Sequence, residues 1–77
     1  MIKPDERELM RRCADLPPFA AVPCVDGQHI NRRLYILDKW CRRGWVDYGV
    51  SLNTAWATTE GVEAFKQFRR SDETRED

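Results

Sequence analysis

The stretch that decides the fold is residues 30–65, INRRLYILDKWCRRGWVDYGVSLNTAWATTEGVEAF, within a chain of 77 residues. It begins as an amphipathic helix, because its apolar side chains recur every three or four residues. We expect one stripe of this central helix to face the core, formed by Ile30, Leu34, Leu37 and Cys41. Gly44 predicts the end of the helix, since glycine readily adopts the left-handed backbone of a helix C-terminus.

Two short strands are expected after this helix, at residues 45–48 and 54–58, around a turn at 49–53. Strand alternation predicts that Ala55 and Ala57 face one side of the sheet and Trp56 the other. Thr59 is then expected to cap a last helix, which has Glu60 in its first turn. The expected inward side chains of this helix are Val62, Phe65 and Phe68.

Upstream, Pro4 predicts the start of a first helix, with Asp5 and Glu6 near the positive end of its dipole. Its expected apolar stripe is Leu9, Cys13 and Leu16. Residues 17–27 contain three prolines, so we expect a connector packed on the core, with room for one short helical turn. Asp26 is the expected cap of the central helix.

Charge is balanced overall but segregated along the chain. The 13 basic and 13 acidic residues cancel, which argues against a nonspecific polyanion binder. Residues 28–43 hold five basic residues and one acid, 5 − 1 = +4. Residues 71–77 hold four acids and one Arg, a net −3, and predict a disordered acidic tail that either only solvates the chain end or folds back on the central helix.

The reactive side chains do not form a catalytic or metal-binding motif. The three cysteines, Cys13, Cys24 and Cys41, have no Cys-x-x-Cys spacing and predict reduced thiols, with Cys13 and Cys41 buried. His29 is the only histidine and has no acid placed with it by a motif. We therefore expect a cytoplasmic, non-enzymatic protein without a cofactor or metal and without a membrane segment.

The order of these elements resembles the winged helix-turn-helix family of bacterial and phage regulators. The resemblance rests on Leu34, Leu37, Gly44, Trp45 and Val46, and on the turn Thr58-Thr59-Glu60-Gly61. It implies an α+β fold: a small winged-helix domain at residues 1–70, with helices and a two- or three-stranded antiparallel wing. The sequence departs from the family upstream, where the proline-rich connector occupies the place of the second helix and tight turn.

The resemblance implies a regulator or a phage or mobile-element accessory factor that presents the central helix to double-stranded DNA, with a homodimer as a further expectation. On a helical wheel, the face opposite Ile30 is basic and polar. The predicted DNA-binding residues are Gln28, Asn31, Arg32, Tyr35, Lys39, Arg42 and Arg43. The alternative is that this face is only the solvated side of the helix.

A second function is also open, because residues 44–59 contain no Lys or Arg to contact a phosphate. In this alternative the domain is a protein-interaction module, such as a phage inhibitor of a host factor. Tyr35, Ile36 and Trp40 would be its anchors, and the basic residues would meet an acidic partner. Equally, the first helix or the connector can cover the Ile36 and Trp40 strip.

Overall fold

The computed structural model describes residues 2–74, and they form an α+β fold. Helix α1 spans Pro4–Cys13, α2 spans Ile30–Arg42 and α3 spans Thr59–Thr74. Strand β1 is Val46–Asp47 and β2 is Trp56–Ala57, with a 3-10 turn at Leu52–Thr54 between them. The predicted α+β class is confirmed, although both strands are shorter than expected.

The connector before α2 pairs with the second strand of a two-stranded sheet. β1 and β2 are antiparallel, with Val46 opposite Ala57 and Asp47 opposite Trp56. Ala21 forms an isolated antiparallel bridge with Trp56, and the Val22 amide donates to the Ala55 carbonyl at 3.0 Å. The connector is therefore packed on the core, as predicted. Within residues 2–74, no helix lies between α1 and α2.

A single core lies between the three helices and the inner face of the sheet. Its aromatic centre is formed by Trp40, Trp45 and Phe65, with ring centroids 4.8–6.3 Å apart. Leu9 and Cys13 from α1 are fully buried, as are Ala55 and Ala57 from the sheet, while Trp56 is only half-buried. Leu9 and Cys13 of the predicted α1 stripe are confirmed, whereas Leu16 lies past the end of α1 and is half-buried. The alternation of the second strand is also confirmed.

The orientation of α2 differs from the prediction. Its buried residues are Arg33, Ile36, Leu37 and Trp40, whereas Ile30 is 47% exposed and Leu34 and Cys41 are half-buried. The helix is thus rotated by roughly a quarter turn from the predicted stripe. The physical reason is that Trp40 has much more apolar area to bury than Cys41, and Ile30 lies at the first position of the helix.

The helix ends lie near the predicted positions, but the residues that cap α2 and α3 differ from the predicted ones. The α2 cap is His29 and not Asp26, because His29 Nδ1 accepts from the Asn31 amide at 3.0 Å. The α3 cap is Thr58 and not Thr59, because Thr58 Oγ1 accepts from the Gly61 amide at 2.9 Å. Gly44, at φ +81°, ends α2 as predicted.

Helix α3 buries Val62 and Phe65 and half-buries Phe68, as predicted. It continues four residues past the predicted domain end at residue 70, reaching Thr74. The rest of the predicted acidic tail, residues 75–77, lies outside the described residues. Within the described part of the chain, no helix combines the length and apolar character needed to cross a membrane.

Candidate binding surface on the central helix

Two of the predicted DNA-reading side chains are hydrogen-bonded to the first helix. The Arg32 guanidinium donates twice to the Asp5 carboxylate, at 3.0 and 2.9 Å, and Gln28 Nε2 donates to the same carboxylate at 3.0 Å. The bond from Arg32 is the main reason that the pKa of Asp5 lies well below its usual range. In return, the bond to Asp5 raises the pKa of Arg32. These donors are already engaged within the fold.

Lys39 is engaged in the same way by the next residue of α1. Lys39 Nζ donates to Glu6 Oε1 at 2.8 Å, and the indole Nε1 of Trp40 donates to Glu6 Oε2 at 2.9 Å. Glu6 is only 4% exposed, so its carboxylate is a buried acceptor shared by two residues of α2. Asp5 and Glu6, the acids predicted to stabilise the α1 dipole, thus bind basic side chains of α2.

Two of the three predicted protein-interface anchors are in the core. Ile36 and Trp40 are both fully buried, while Tyr35 is 60% exposed. The prediction that Ile36 and Trp40 form a contact strip is therefore wrong. They are buried because both belong to the hydrophobic core, where Glu6 of α1 accepts from the Trp40 indole.

The exposed side of α2 carries the remaining predicted residues. Asn31 and Arg42 are exposed, and Arg42 pairs with Asp38 one turn earlier at 3.1 Å. Arg43, just past the helix end, lies over the Trp45 ring with its guanidinium carbon 5.1 Å from the ring centroid. Some of the seven predicted nucleic-acid-binding residues therefore lie on this exposed side, and the others are hydrogen-bonded to acids of α1.

Tyr35 is the centre of a groove between α1 and α2. The Arg32 guanidinium carbon lies 5.7 Å from the Tyr35 ring centroid, and Lys39 Nζ lies 5.6 Å from it. These distances are typical of cation–π contacts. The groove has a volume of about 360 Å³ and is also lined by Lys3, Glu6, His29 and Asn31.

The electrostatics of this groove favour an anionic group. Its lining includes the cations Lys3, Arg32 and Lys39, of which Arg32 is paired with Asp5 and Lys39 with Glu6, so the three cations outnumber the two carboxylates. The exposed phenol ring adds apolar area and a hydroxyl group. Such a surface can bind a carboxylate beside an aromatic or aliphatic side chain.

Sequence reasoning missed Arg33, which is buried on the inner side of α2. Its guanidinium donates four hydrogen bonds of 2.7–3.2 Å, to the Val22 and Pro23 carbonyls and to the carbonyl and side-chain oxygens of Asn53. It therefore joins α2 to the connector and to the 3-10 turn. No pattern in the sequence distinguishes Arg33 from the neighbouring Arg32.

The reactive groups are arranged without a metal-ligand cluster in the described residues. Cys13, buried on α1 as predicted, has its pKa raised to about 12 by burial, so the thiol stays protonated. Cys41 was also expected to be buried but is half-buried, because α2 is rotated. Cys24 on the connector is exposed.

Comparison with known proteins gives no relative from which a function can be transferred. No family model matches the chain, and no curated protein or solved structure is significantly similar to it. The geometry of the α2 surface is therefore the basis for a functional proposal.

Proposed function

We propose that this protein is a small, non-catalytic, cytoplasmic interaction module on a winged-helix-like frame, and that it binds an acidic segment of another protein. The observation that carries the proposal is the position of Tyr35. It is 60% exposed, lies between two cations, and borders a groove instead of a flat helix face.

Residue type supports a protein partner. Tyr and Arg are among the side chains most enriched at the energetically important centres of protein interfaces. Tyr35 provides a rigid aromatic anchor, and Arg32 and Lys39 provide charge beside it. An acidic partner would place a carboxylate between these cations and pack an apolar group on the phenol ring.

The internal hydrogen bonds of the groove support the same proposal. Asp5 fixes the Arg32 guanidinium by two bonds, and Glu6 fixes Lys39 by one. Long basic side chains normally lose rotamer entropy when they bind, and that cost is reduced when they are already ordered. The groove is thus preorganised for a ligand.

DNA binding is a second candidate, favoured by one observation. Asn31, Tyr35 and Arg42 are all exposed on one side of the helix that precedes the β1–β2 hairpin. An exposed helix of this kind can enter a major groove. It ranks second because residues 44–59 contain no Lys or Arg to contact a phosphate.

Photo-crosslinking tests the first proposal. A photo-reactive aromatic residue is placed at Tyr35 or, as the matched control, at Tyr48, which is 42% exposed on the hairpin. We expect position 35 to crosslink a protein in host cells, through a peptide with a net negative charge identified by mass spectrometry. Position 48 should not crosslink that peptide.

The proposal fails if position 35 crosslinks only DNA or yields no product. It also fails if the peptide captured at position 35 carries no excess of Asp and Glu, because the surrounding cations would then have no role in recognition. Repeating the irradiation in high salt provides a further check, since an exposed charged interface weakens as salt increases.

A further inference from the structure

A second groove, of about 470 Å³, lies on the other side of the Lys39–Glu6 ion pair. Glu6 and Lys39 line both this groove and the groove at Tyr35. The two grooves are therefore neighbours, with the 2.8 Å contact between Lys39 Nζ and Glu6 Oε1 at their common boundary.

Apolar side chains form one side of the second groove. Between α1 and α3 it is lined by Ile2, Met10, Trp45 and Phe68, of which Ile2, Trp45 and Phe68 are only half-buried. These side chains pack against the core but retain exposed apolar area. Its volume lies within the range of about 300–1,000 Å³ that is typical of ligand-binding clefts.

Cations border the apolar lining as well. Arg43 and Lys39 both line this groove, and Arg43 is held over the ring of Trp45. Among the side chains that the structure describes, the acid in its lining is Glu6, which is buried and paired. A ligand here thus meets apolar groups and positively charged side chains.

We propose that the two grooves form one continuous docking surface, and that its occupant is an acidic amphipathic peptide segment of the partner protein. The acidic residues of the segment lie in the groove at Tyr35, and its apolar side chains lie on Trp45 and Phe68. This inference rests on the proposed function and adds to it the partner's chemistry and a second subsite.

The apolar area of the second groove favours an amphipathic acidic segment over a purely acidic one. A purely acidic segment would leave the half-buried Trp45 and Phe68 side chains exposed to water, whereas an amphipathic segment removes their apolar area as well. Because Lys39 lines both grooves, a carboxylate of one bound segment can contact it from either groove.

The test compares two synthetic peptides of equal length and net charge on the full-length chain. One combines Glu with Gly and Ser, and the other combines Glu with Leu and Phe at helical spacing. Affinities are measured by calorimetry for the wild type and for Tyr35→Ala, Gln67→Glu and Lys66→Gln. Gln67 lines the second groove, whereas Lys66 is exposed and lines neither groove.

We expect the amphipathic peptide to bind at least tenfold more tightly than the glutamate peptide. Gln67→Glu should remove most of that advantage, because it places a carboxylate at the apolar groove. Lys66→Gln changes the net charge by the same amount and should leave the advantage unchanged. Tyr35→Ala should weaken both peptides.

The outcomes separate the two proposals. If both peptides bind equally and Gln67→Glu matches Lys66→Gln, the second subsite is excluded while the Tyr35 groove remains. If neither peptide binds, the proposed function itself fails. If sedimentation shows a dimer that Gln67→Glu dissociates, a second copy of the chain occupies the groove and the inference is overturned.

Discussion

The Arg32 guanidinium donates two hydrogen bonds to the Asp5 carboxylate, at 3.0 and 2.9 Å, across 27 residues of sequence. This contact joins the first turn of α1 to the first turn of α2. It also means that a side chain with the chemistry to read a guanine base is directed at the protein's own carboxylate. The function proposed for this surface therefore depends on how Asp5 and Glu6 of α1 hold the basic side chains of α2.

Asp5→Asn should make the protein less sensitive to acid. The pKa of Asp5 is held well below its usual value of about 4, so the folded state binds the proton less readily than the unfolded state does. The contribution of Asp5 to stability is therefore present above about pH 4 and is lost as the pH falls toward its folded-state pKa. Thermal melts should show the wild type losing its advantage over Asp5→Asn between pH 4 and pH 2.

The control for this prediction is Asp38→Asn. Asp38 pairs with Arg42 on the exposed side of α2, where both side chains are more than half exposed. An exposed pair of this kind contributes little to stability. A pH dependence that is the same in Asp5→Asn as in wild type would show that the Asp5 contact does not stabilise the fold.

Glu6→Ala should destabilise the fold by about 2–3 kcal/mol, because it leaves the buried indole N–H of Trp40 without an acceptor. Glu6→Gln keeps one oxygen to accept from Trp40 but loses the ionic hydrogen bond from Lys39, so it should cost about 1 kcal/mol. Urea unfolding followed by circular dichroism measures both. Glu8→Ala, which removes an exposed pair with Arg12, is the control and should change stability by less than about 0.5 kcal/mol.

Arg33→Met should cost about 3 kcal/mol of unfolding free energy, because the oxygens of Val22, Pro23 and Asn53 lose their buried donor. Arg42→Met at an exposed position should stay within about 0.5 kcal/mol of wild type. Equal stability of the two variants in urea would show that Arg33 does not hold the connector and the 3-10 turn.

Gly61→Ala should prevent folding or destabilise it by more than about 3 kcal/mol. A Cβ at Gly61 would overlap the carbonyl oxygen of Trp45 and lie 2.6 Å from its carbonyl carbon, so backbone would have to move. Gly27→Ala is the control, since its Cβ would meet nothing within 4 Å and only the positive φ would be strained, at about 1 kcal/mol. Similar melting temperatures for both variants would contradict the close approach of α3 to Trp45.

Local patterns predicted the elements well. Helical spacing, Pro4 and Gly44 placed α1 and α2, and strand alternation correctly divided Ala55 and Ala57 from Trp56. These signals are local because capping, turn and propensity effects act over a few residues. The observed capping residues lie one to three positions from the predicted ones, since a neighbouring side chain can accept from the amides at the start of the same helix.

The orientation of α2 could not be predicted in the same way. Its apolar residues occupy more than one stripe, so periodicity alone does not say whether Ile30 or Ile36 faces the core. The choice depends on contacts distant in sequence, with Glu6 accepting from Trp40 and Arg33 bonding to the connector. With these contacts, Ile36 and Trp40 lie in the core and Tyr35 is exposed.

The measurement that tests the central claim most directly is fluorescence anisotropy with two labelled ligands, the acidic amphipathic peptide and a random-sequence DNA duplex, at low and near-physiological salt. We predict that the peptide binds and that Tyr35→Ala weakens it at least tenfold, while Tyr48→Ala does not. The duplex should bind more weakly, with no loss on Tyr35→Ala. The claim is contradicted if the duplex binds more tightly than the peptide and Arg42→Gln abolishes duplex binding. In that case the duplex affinity should also fall with increasing salt, with a slope equivalent to several phosphate contacts.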